Sequence, residues 1–139
     1  MGAMSRQVLQ SGHPSSAPCV LIGGGETTVH ILPGTKPGKG GPNQEWALAV
    51  ALEIQGNDQV AALGIDTDGT DGPTPFAGGI VDGDTCLHAA NLGLDLHACL
   101  QRHDVSPALE AMGAAVRTGS TGTNVNDLKL IVISTPKGE

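Results

Sequence analysis

The hydrophobic pattern along the chain predicts a small α/β domain built on a sheet of short strands. Apolar runs at 19–22, 60–65 and 128–133 are typical of buried strands. Residues 27–32 alternate and are β-branched, which predicts a further strand. We expect that strand to pair antiparallel with 19–22, because the glycine-rich link at 23–26 is too short for a parallel crossover. The run at 60–65 is predicted to be the central strand.

The main helix is predicted over residues 43–54. Its large apolar residues alternate as in a strand, but its length, the alanines between them and Pro42 at the first helical position favour a helix. Gly56 then ends it. Ser106 is expected to cap a later helix. The remaining predicted elements are helices over 85–92, 96–103 and 106–112, a short strand over 114–116, and an edge strand or a loop over 78–82.

The chain of 139 residues is long enough for one domain. Residues 1–18 are interpreted as a polar lead-in with at most a short helical turn near Val8 and Leu9, and its first three residues as an expression scar outside the fold. Residues 19–135 form the predicted α/β domain, and 136–139 form a tail. Strands and helices mix in an order that predicts a mixed β-sheet with flanking helices.

Composition excludes several classes of partner. Trp46 and Phe76 are the only aromatic residues, and the formal net charge is −7. A nucleic-acid partner is therefore not expected, because such sites need basic patches and stacking platforms. No apolar segment approaches the roughly 20 residues of a membrane span. The three cysteines show no CxxC pair, and no signal peptide is recognisable. We expect a cytoplasmic protein with free thiols and no membrane association.

Three carboxylates follow the central strand within one turn. Asp66, Asp68 and Asp71 are accompanied by two glycines and a proline, which indicates a sharp bend. Strand ends in α/β sheets often bind ligands, and clustered acids repel one another unless a cation or donors offset them. An EF-hand is excluded, because the fifth, sixth and twelfth positions counted from Asp66 do not match its ligands and glycine. A functional edge and a solvated turn both remain open.

Glycine-rich connections at 23–26, 34–42 and 119–127 can gather with the acidic turn along one edge of the sheet. Glycines allow backbone N–H groups to approach an anion closely. A Walker A loop is excluded, since only three residues separate Gly34 from Gly38-Lys39 and a glycine takes the Ser/Thr position. A flexible surface loop is the simpler interpretation of this spacing. The histidines show no metal-ligand spacing, and the group at 102–104 is interpreted as a solvated helix end.

Four motifs in order carry a family resemblance: Gly-Gly-Glu-Thr-Thr at 24–28, Gly-Gly-Pro-Asn-Gln-Glu at 40–45, Asp-Thr-Asp-Gly-Thr-Asp-Gly-Pro-Thr at 66–74, and Thr-Gly-Thr-Asn-Val-Asn-Asp at 121–127. Together they resemble the C-terminal MOFRL domain of the type-2 glycerate kinases, a family also known as hydroxypyruvate reductases. The match covers residues 19 to about 133. The resemblance implies a transfer of phosphate from ATP to D-glycerate with Mg²⁺, in a cleft between a large N-terminal domain and this smaller one.

The resemblance also directs attention to particular residues. The expected catalytic residues are Asp66, Asp68 and Asp71, of which Asp68 and Asp71 are also the expected metal ligands. The expected substrate-binding or anion-binding residues are Gly24, Gly25, Glu26, Lys39, Gly41, Asn43, Thr121, Thr123, Asn124 and Asn126. The expected partners are an N-terminal glycerate kinase domain, in the same or a separate chain, and a small anionic metabolite. ATP and Mg²⁺ are expected in the intact enzyme, with neither bound tightly here.

Two positions depart from the family pattern. Pro42 stands where the family has an arginine that is a suspected substrate or phosphate contact, and Gly23 stands where serine is common. One hypothesis is therefore a kinase domain that contributes one wall of an active site and is inactive alone. A second is a free-standing module that binds a small anion or a protein partner. A reductase is disfavoured, because no Gly-x-Gly-x-x-Gly fingerprint follows a strand.

Overall fold

The computed structural model describes residues 1–135, which form a five-stranded sheet with helices packed on one face. The helices are α1 (Gly2–Ser11), α2 (Pro42–Glu53), α3 (Thr85–Asn91), α4 (Leu96–Gln101) and α5 (Ser106–Ala111). The strands are β1 (Cys19–Gly25), β2 (Val60–Asp66), β3 (Gly78–Asp82), β4 (Ala115–Val116) and β5 (Asp127–Ile133). The predicted α/β class with flanking helices is confirmed. The predicted tail, 136–139, lies outside the described residues.

The sheet has the strand order β1-β5-β2-β3-β4, with every described pair antiparallel. The strand predicted to be central, β2, is the third of the five. It pairs with β5 on one side and with β3 on the other. Residues 78–82, which were predicted as an edge strand or a loop, form an internal strand, because β4 covers their outer side.

The predicted strand over 27–32 is wrong, and so is its hairpin with 19–22. Residues 26–32 are irregular, and the glycines of the expected link continue β1 to Gly25. Strand β1 pairs instead with β5, from Cys19 opposite Ile133 to Gly25 opposite Asp127. The local alternation is overridden because Thr27 donates its backbone N–H to Asp127 at 2.7 Å, which turns the chain out of the sheet.

The lead-in is more ordered than its composition indicates. Residues 2–11 form α1, so the prediction of at most a helical turn there, and the exclusion of the first residues from the fold, are wrong. Gly2, Ser5 and Val8 recur every three residues and are the buried positions of the helix. Val8 joins the main core, and Arg6 pairs with Glu53 of α2. This spacing, although short, was the signal for a helix.

Helix α2 lies at the centre of the core, between the sheet and the shorter helices. The predicted helix is confirmed, with Pro42 in its first turn. Ala47, Leu48 and Ala51 are fully buried in its middle. The helix approaches β2 closely at Gly64, where an added Cβ would lie 2.6 Å from the Trp46 ring. Burial on several sides explains why its apolar positions do not show a simple helical stripe.

The predicted short helices are confirmed as α3, α4 and α5, each within a few residues of its expected bounds. Ser106 does not cap α5 with its side chain. It lies at the start of the helix and donates its hydroxyl to Gln44 Oε1 in α2. Helix α4 does have a side-chain cap, because Asp95 accepts a hydrogen bond from the Ala98 N–H at 3.0 Å.

Candidate functional site

The four polar loops meet at one end of the sheet. In the strand register, Gly25 of β1, Asp127 of β5 and Asp66 of β2 lie side by side, and β3 starts beside Ile65. The acidic turn therefore leaves the same end at which the 119–127 loop enters. Helix α2 also starts there, through contacts with Asp71 that are described next. We call this end of the molecule the acidic edge.

Asp71 binds the first turn of α2. Its Oδ1 accepts the Asn43 N–H at 3.0 Å and the Asn43 side-chain amide at 3.1 Å. Its Oδ2 accepts the Gln44 N–H at 2.8 Å and the Gln44 amide at 3.1 Å. Gly41, the N-cap residue before the helix, has no side chain that could cap it, so the acidic turn supplies a cap from a distant part of the sequence. A carboxylate at this end also interacts favourably with the helix dipole.

This contact requires glycine at position 41. A Cβ atom there would overlap the carboxylate and the carbonyl oxygen of Asp71. Thr74 also joins Asp71 to α2, because its hydroxyl donates to the Asp71 carbonyl at 2.8 Å and accepts from the Gln44 amide at 2.9 Å. The Asp71 side chain is consequently buried, with all of its described partners provided by the protein.

Asp127 is a second buried carboxylate, and it joins β5 to α2 and to the loop after β1. Its Oδ1 accepts the Asn43 amide at 2.6 Å. Its Oδ2 accepts the N–H and the hydroxyl of Thr27 and the ammonium of Lys129, the last at 2.7 Å. Burial raises the pKa of Asp127, but hydrogen bonds from Lys129, Thr27 and Asn43 outweigh this effect and lower the pKa to about 2.

Lys129 completes this network from inside the sheet. Its ammonium also donates to the Thr27 hydroxyl at 2.7 Å and lies 5.9 Å from the centre of the Trp46 ring. Lys129 was not predicted from the sequence, and Thr27, Gln44 and Asp127 were named there only as members of motifs. Strand alternation was the available signal, because it places Lys129 on the same face as Asp127, among apolar residues.

Asn43 lies between the two buried carboxylates. Its side-chain amide donates to both, and the residue is 1% exposed. Its Oδ1 atom has no hydrogen-bond partner within residues 1–135. An acceptor that is buried without a donor is unfavourable, so holding Asn43 between the two carboxylates has an energetic cost at this atom.

The second layer of the acidic edge is exposed. Asp68 accepts the N–H and hydroxyl of Thr70 at 2.8 and 2.9 Å, and the Asn124 amide at 3.1 Å. The Thr121 hydroxyl donates to the Thr67 carbonyl at 2.6 Å. These bonds tie the 121–127 loop to the acidic turn, so two of the four motifs form one surface.

The pKa values of two carboxylates in this layer are shifted in opposite directions. Burial raises the pKa of Asp66, and the charges of Asp68 and Asp127 add to the rise. Hydrogen bonds from Thr70 lower the pKa of Asp68. Of these two carboxylates, Asp68 therefore stays ionised more readily, whereas a nearby cation would stabilise the ionised form of Asp66 more.

The other predicted binding residues lie around the same edge. Gly24 and Gly25 end β1, and Glu26 is exposed beyond them. Lys39 is exposed, and its N–H donates to Asp104 at 2.9 Å. The predicted residues of the last loop, Thr121, Thr123, Asn124 and Asn126, are all exposed. The structure thus brings together the residues predicted from four separate motifs, although it tests no role in binding or catalysis.

A metal site at Asp68 and Asp71 stays a prediction. Within residues 1–135, no three His, Cys, Asp or Glu side chains form a group that could hold a metal ion. The oxygens of Asp71 accept four protein donors, which leaves Asp66 and Asp68 as the accessible carboxylates. Mg²⁺ is commonly held by one or two carboxylates together with water and substrate phosphates, and this pair fits that requirement.

Beside the acidic edge, His103 and Glu45 form a half-buried pair with Nδ1 and Oε1 3.0 Å apart. Residues 102–104 follow the end of α4 as predicted, but His103 and Asp104 are partly buried, so the prediction that their charges lie in water is wrong. The pair lines a pocket of about 260 Å³ together with Pro42, Gly41 and the strap at 29–40. The strap joins β1 to α2 and gives this end of the molecule a concave wall. Within the described part of the chain, no helix has the length and apolar character needed to cross a membrane.

Comparison with known proteins extends these observations. The chain is 42% identical over 138 residues to the glycerate 2-kinase of Pyrococcus horikoshii, covering 99% of the chain and 31% of that protein. It is 44% identical over 128 residues to the D-glycerate 2-kinase of Thermotoga maritima, covering 92% and 30%. The crystal structure of the Thermotoga maritima glycerate kinase superposes with a TM-score of 0.89, covering 95% of this chain and 31% of that one. The chain spans about a third of the length of these relatives.

The family comparison agrees with the positions of the four motifs. The model of the MOFRL family matches residues 19–127, which include β1, α2, the acidic turn and the loop before β5. The match therefore includes the loops and elements that meet at the acidic edge, although it reaches only the first residue of β5, Asp127. On this basis the chain belongs to the MOFRL family.

Proposed function

We propose that this chain is the C-terminal domain of a glycerate 2-kinase and that its acidic edge forms one wall of an active site between two domains. The observation that carries the proposal is the convergence of four separate motifs on one end of the sheet, tied together by hydrogen bonds. This arrangement accompanies more than 40% identity to two proteins named glycerate 2-kinases. Those relatives are about three times as long, which leaves room for the opposite wall.

The residues of this edge suit the binding of a metal ion and its ligands. Asp66 and Asp68 would hold Mg²⁺, which in phosphoryl transfer neutralises the charge on the phosphate oxygens. Thr70 and Asn124 orient the Asp68 carboxylate. Asp71 and Asp127 are buried behind this pair. They bind the start of α2 and thereby hold the whole edge in position.

This wall has few positive charges of its own. Lys129 is engaged with Asp127 and is nearly buried, so it cannot reach a phosphate in solvent. Lys36 and Lys39 are the exposed cations of the neighbouring loop. Phosphoryl transfer needs several positive groups around the transferred phosphate. We therefore assign the remaining cations, the exclusion of water and much of the nucleotide contact to the large domain.

The proposal is tested by joining this chain to such a domain. In the Thermotoga maritima protein, the segment that matches this chain is replaced by residues 1–135, and phosphoglycerate is measured with ATP, Mg²⁺ and D-glycerate. Two versions are made, one with Pro42 and one with Pro42→Arg. We expect turnover in at least the arginine version, and a loss of at least about 100-fold with Asp68→Asn. Asp58→Asn, at the other end of β2, is the matched control.

Pro42 supports a second function, a module that binds a small anion without catalysis. A proline cannot supply the charged fork of donors that an arginine would offer at the start of α2. Circular dichroism shows whether the two fusion versions are folded. If both are folded and transfer no phosphate, while the unmodified Thermotoga protein transfers phosphate, this second function replaces the first. Binding of phosphate or glycerate to the isolated chain, followed by backbone amide shifts near Gly41, would then be its direct test.

A further inference from the structure

The side of the inner strands that faces away from the helices carries mainly apolar residues, although helices cover only the opposite side. In β5, Asp127, Lys129 and Ile131 point towards the helices and are buried, while the alternate residues point away from them. An antiparallel sheet with one face in water normally alternates apolar and polar residues. The residues of β5 that point away from the helices are leucines and a valine. This pattern is typical of a strand in a sheet that is covered on both faces.

The strand register assembles these outward residues into one continuous patch. One row contains Val20, Val132 and Ala61, and the next contains Ile22, Leu130, Leu63 and Ile80. We call the patch formed by Val20, Ile22, Leu63, Ile80, Leu130 and Val132 the open face. Ile22 is 72% exposed, and Val20, Ile80 and Val132 are each about half exposed. In these two rows of described residues, Asp82 beside Ala61 is the only charged side chain.

We propose that the open face is the surface on which the large domain docks in a polypeptide of the relatives' length. This inference rests on the proposed function, because that function supplies the partner domain. It assigns to the partner a second contact, separate from the acidic edge: the edge lies at the end of the strands, whereas the open face lies along their side. A domain that packs on this side is held next to the acidic edge.

The size of the open face distinguishes this occupant from a second copy of the chain. With the adjoining outward row of Leu128 and Ile65, the face spans five residues of about 3.4 Å each along four strands about 4.8 Å apart, which gives a footprint on the order of 300 Å². A pair of such surfaces buries on the order of 600 Å², about half of the 1,200 Å² at which stable protein–protein interfaces begin. Interfaces between domains of one chain start at about 600 Å². The open face therefore fits a tethered partner better than a free one.

The composition of the open face specifies the chemistry of the partner surface. It must be apolar and nearly free of charge, since a charged group buried against Ile22 and Val132 would lack a counter-ion. A helix or sheet face rich in aliphatic residues meets this requirement. Chains that expose several hundred Å² of contiguous apolar surface usually bind a partner there.

The experiment compares one substitution in two settings. Ile22→Lys is made in this chain, and lysine is placed at the superposing position of the intact Thermotoga maritima protein. In the isolated chain, where the face is exposed, we expect the melting temperature to change by less than about 2 °C. In the intact protein we expect a fall of at least about 5 °C, because the lysine would be buried. Leu87→Lys, on the exposed side of α3, is the matched control and should be tolerated in both.

A serine at the same position is included in case the lysine form of the intact protein does not fold. The serine variant should also lower the melting temperature more in the intact protein than in the isolated chain, by a smaller amount than lysine does. Equal tolerance in the two settings overturns the proposal, since the face would then be open in the intact protein as well. A dimer of the isolated chain in analytical ultracentrifugation that Ile22→Lys dissociates also overturns it, in favour of a second copy. The melting temperature does not depend on phosphate transfer, so the two proposals can fail separately. If the fusion protein is inactive while lysine on the open face still destabilises the intact Thermotoga maritima protein, only the proposed function is rejected.

Discussion

At the residue scale, two carboxylates hold the candidate site in place. Asp71 and Asp127 are both nearly buried, and Asn43 donates to both of them. The sequence pointed to Asp71 as a group for catalysis or metal binding. Its contacts support a positioning role instead, because the start of α2 depends on it. Asp68 is only partly buried, and it is the better candidate for contact with a ligand.

Replacing Asp71 should therefore destabilise the fold itself. Asp71→Asn keeps the shape but replaces one acceptor oxygen with an NH2 donor, which faces the N–H donors of Asn43 or Gln44 and leaves buried donors unpaired. We expect a loss of about 2–4 kcal/mol in the free energy of unfolding, measured by urea denaturation. Asp58→Asn, which changes an exposed carboxylate, should cost less than about 0.5 kcal/mol. A similar loss in both variants would contradict the positioning role of Asp71.

Asp127 should make stability depend on acid pH. Its pKa is lowered from 3.8 to about 2 in the folded chain, so its contribution is present above the unfolded pKa and is lost as the pH falls through the folded pKa. The shift corresponds to about 2 kcal/mol at neutral pH. We expect the difference in unfolding free energy between the parent and Asp127→Asn to shrink as the pH is lowered from 5 to 2. A difference that stays constant over this range would show that the carboxylate charge is not responsible.

At the element scale, α2 is the part of the fold on which the site is built. Its first turn receives Asp71, its Asn43 contacts Asp127, and its Glu45 pairs with His103. Pro42 favours this helix start because its φ angle is already helical. It also lines the pocket beside His103. The same position thus influences both the stability of the helix and the chemistry of the concave wall.

Pro42→Arg should separate these two effects. We expect a loss of stability of up to about 1 kcal/mol, because the unfolded chain gains freedom when proline is removed. An arginine contact to an anion is worth roughly 1.5–3 kcal/mol per charge-assisted hydrogen bond, so phosphate affinity should rise at least about 10-fold. Thermal melts and calorimetric phosphate titrations measure the two effects. Ala49→Arg adds the same charge further along the helix and should not improve binding. If Pro42→Arg binds no better than Ala49→Arg, this corner is not an anion site.

At the scale of the whole molecule, the proposed function makes the acidic edge one wall of an active site, and the sheet has one face that no described helix covers. The acidic edge is open to solvent at Asp68 and Asn124, and the open face exposes Ile22 and Val132. Catalysis of phosphoryl transfer depends on holding both reactants in place and on excluding water. A single wall supplies neither, even if each of its residues is correctly placed.

We therefore expect the isolated chain to fold without phosphorylating glycerate. Purified protein incubated with ATP, Mg²⁺ and D-glycerate should yield no more phosphoglycerate than a blank without protein. The Thermotoga maritima protein serves as the positive control under the same conditions. Turnover at an ordinary kinase rate of about 1–100 s⁻¹ by this chain alone would contradict the assignment of an incomplete site.

The local elements were largely readable from the sequence. Pro42 and the alanines predicted α2, and the apolar runs predicted β2 and β5, because helix starts and buried strands depend on nearby residues. The four motifs also carried the family resemblance, which the match over residues 19–127 confirms. The acidic turn was correctly placed at the end of the central strand.

Only the tertiary structure decided how those elements use their polar residues. Asp71 caps a helix 28 positions before it in the chain, and Thr27 contacts Asp127 across 100 positions. No local pattern encodes such pairs, because each residue looks like an ordinary turn residue until the chain is folded. The same long-range contact removed the strand expected at 27–32. The sequence determined most of the strands and helices, although not α1 or the course of residues 27–32, and it determined the family to which they belong. The fold determined which carboxylates are structural and which face the solvent, because burial and hydrogen bonding arise only once distant segments meet.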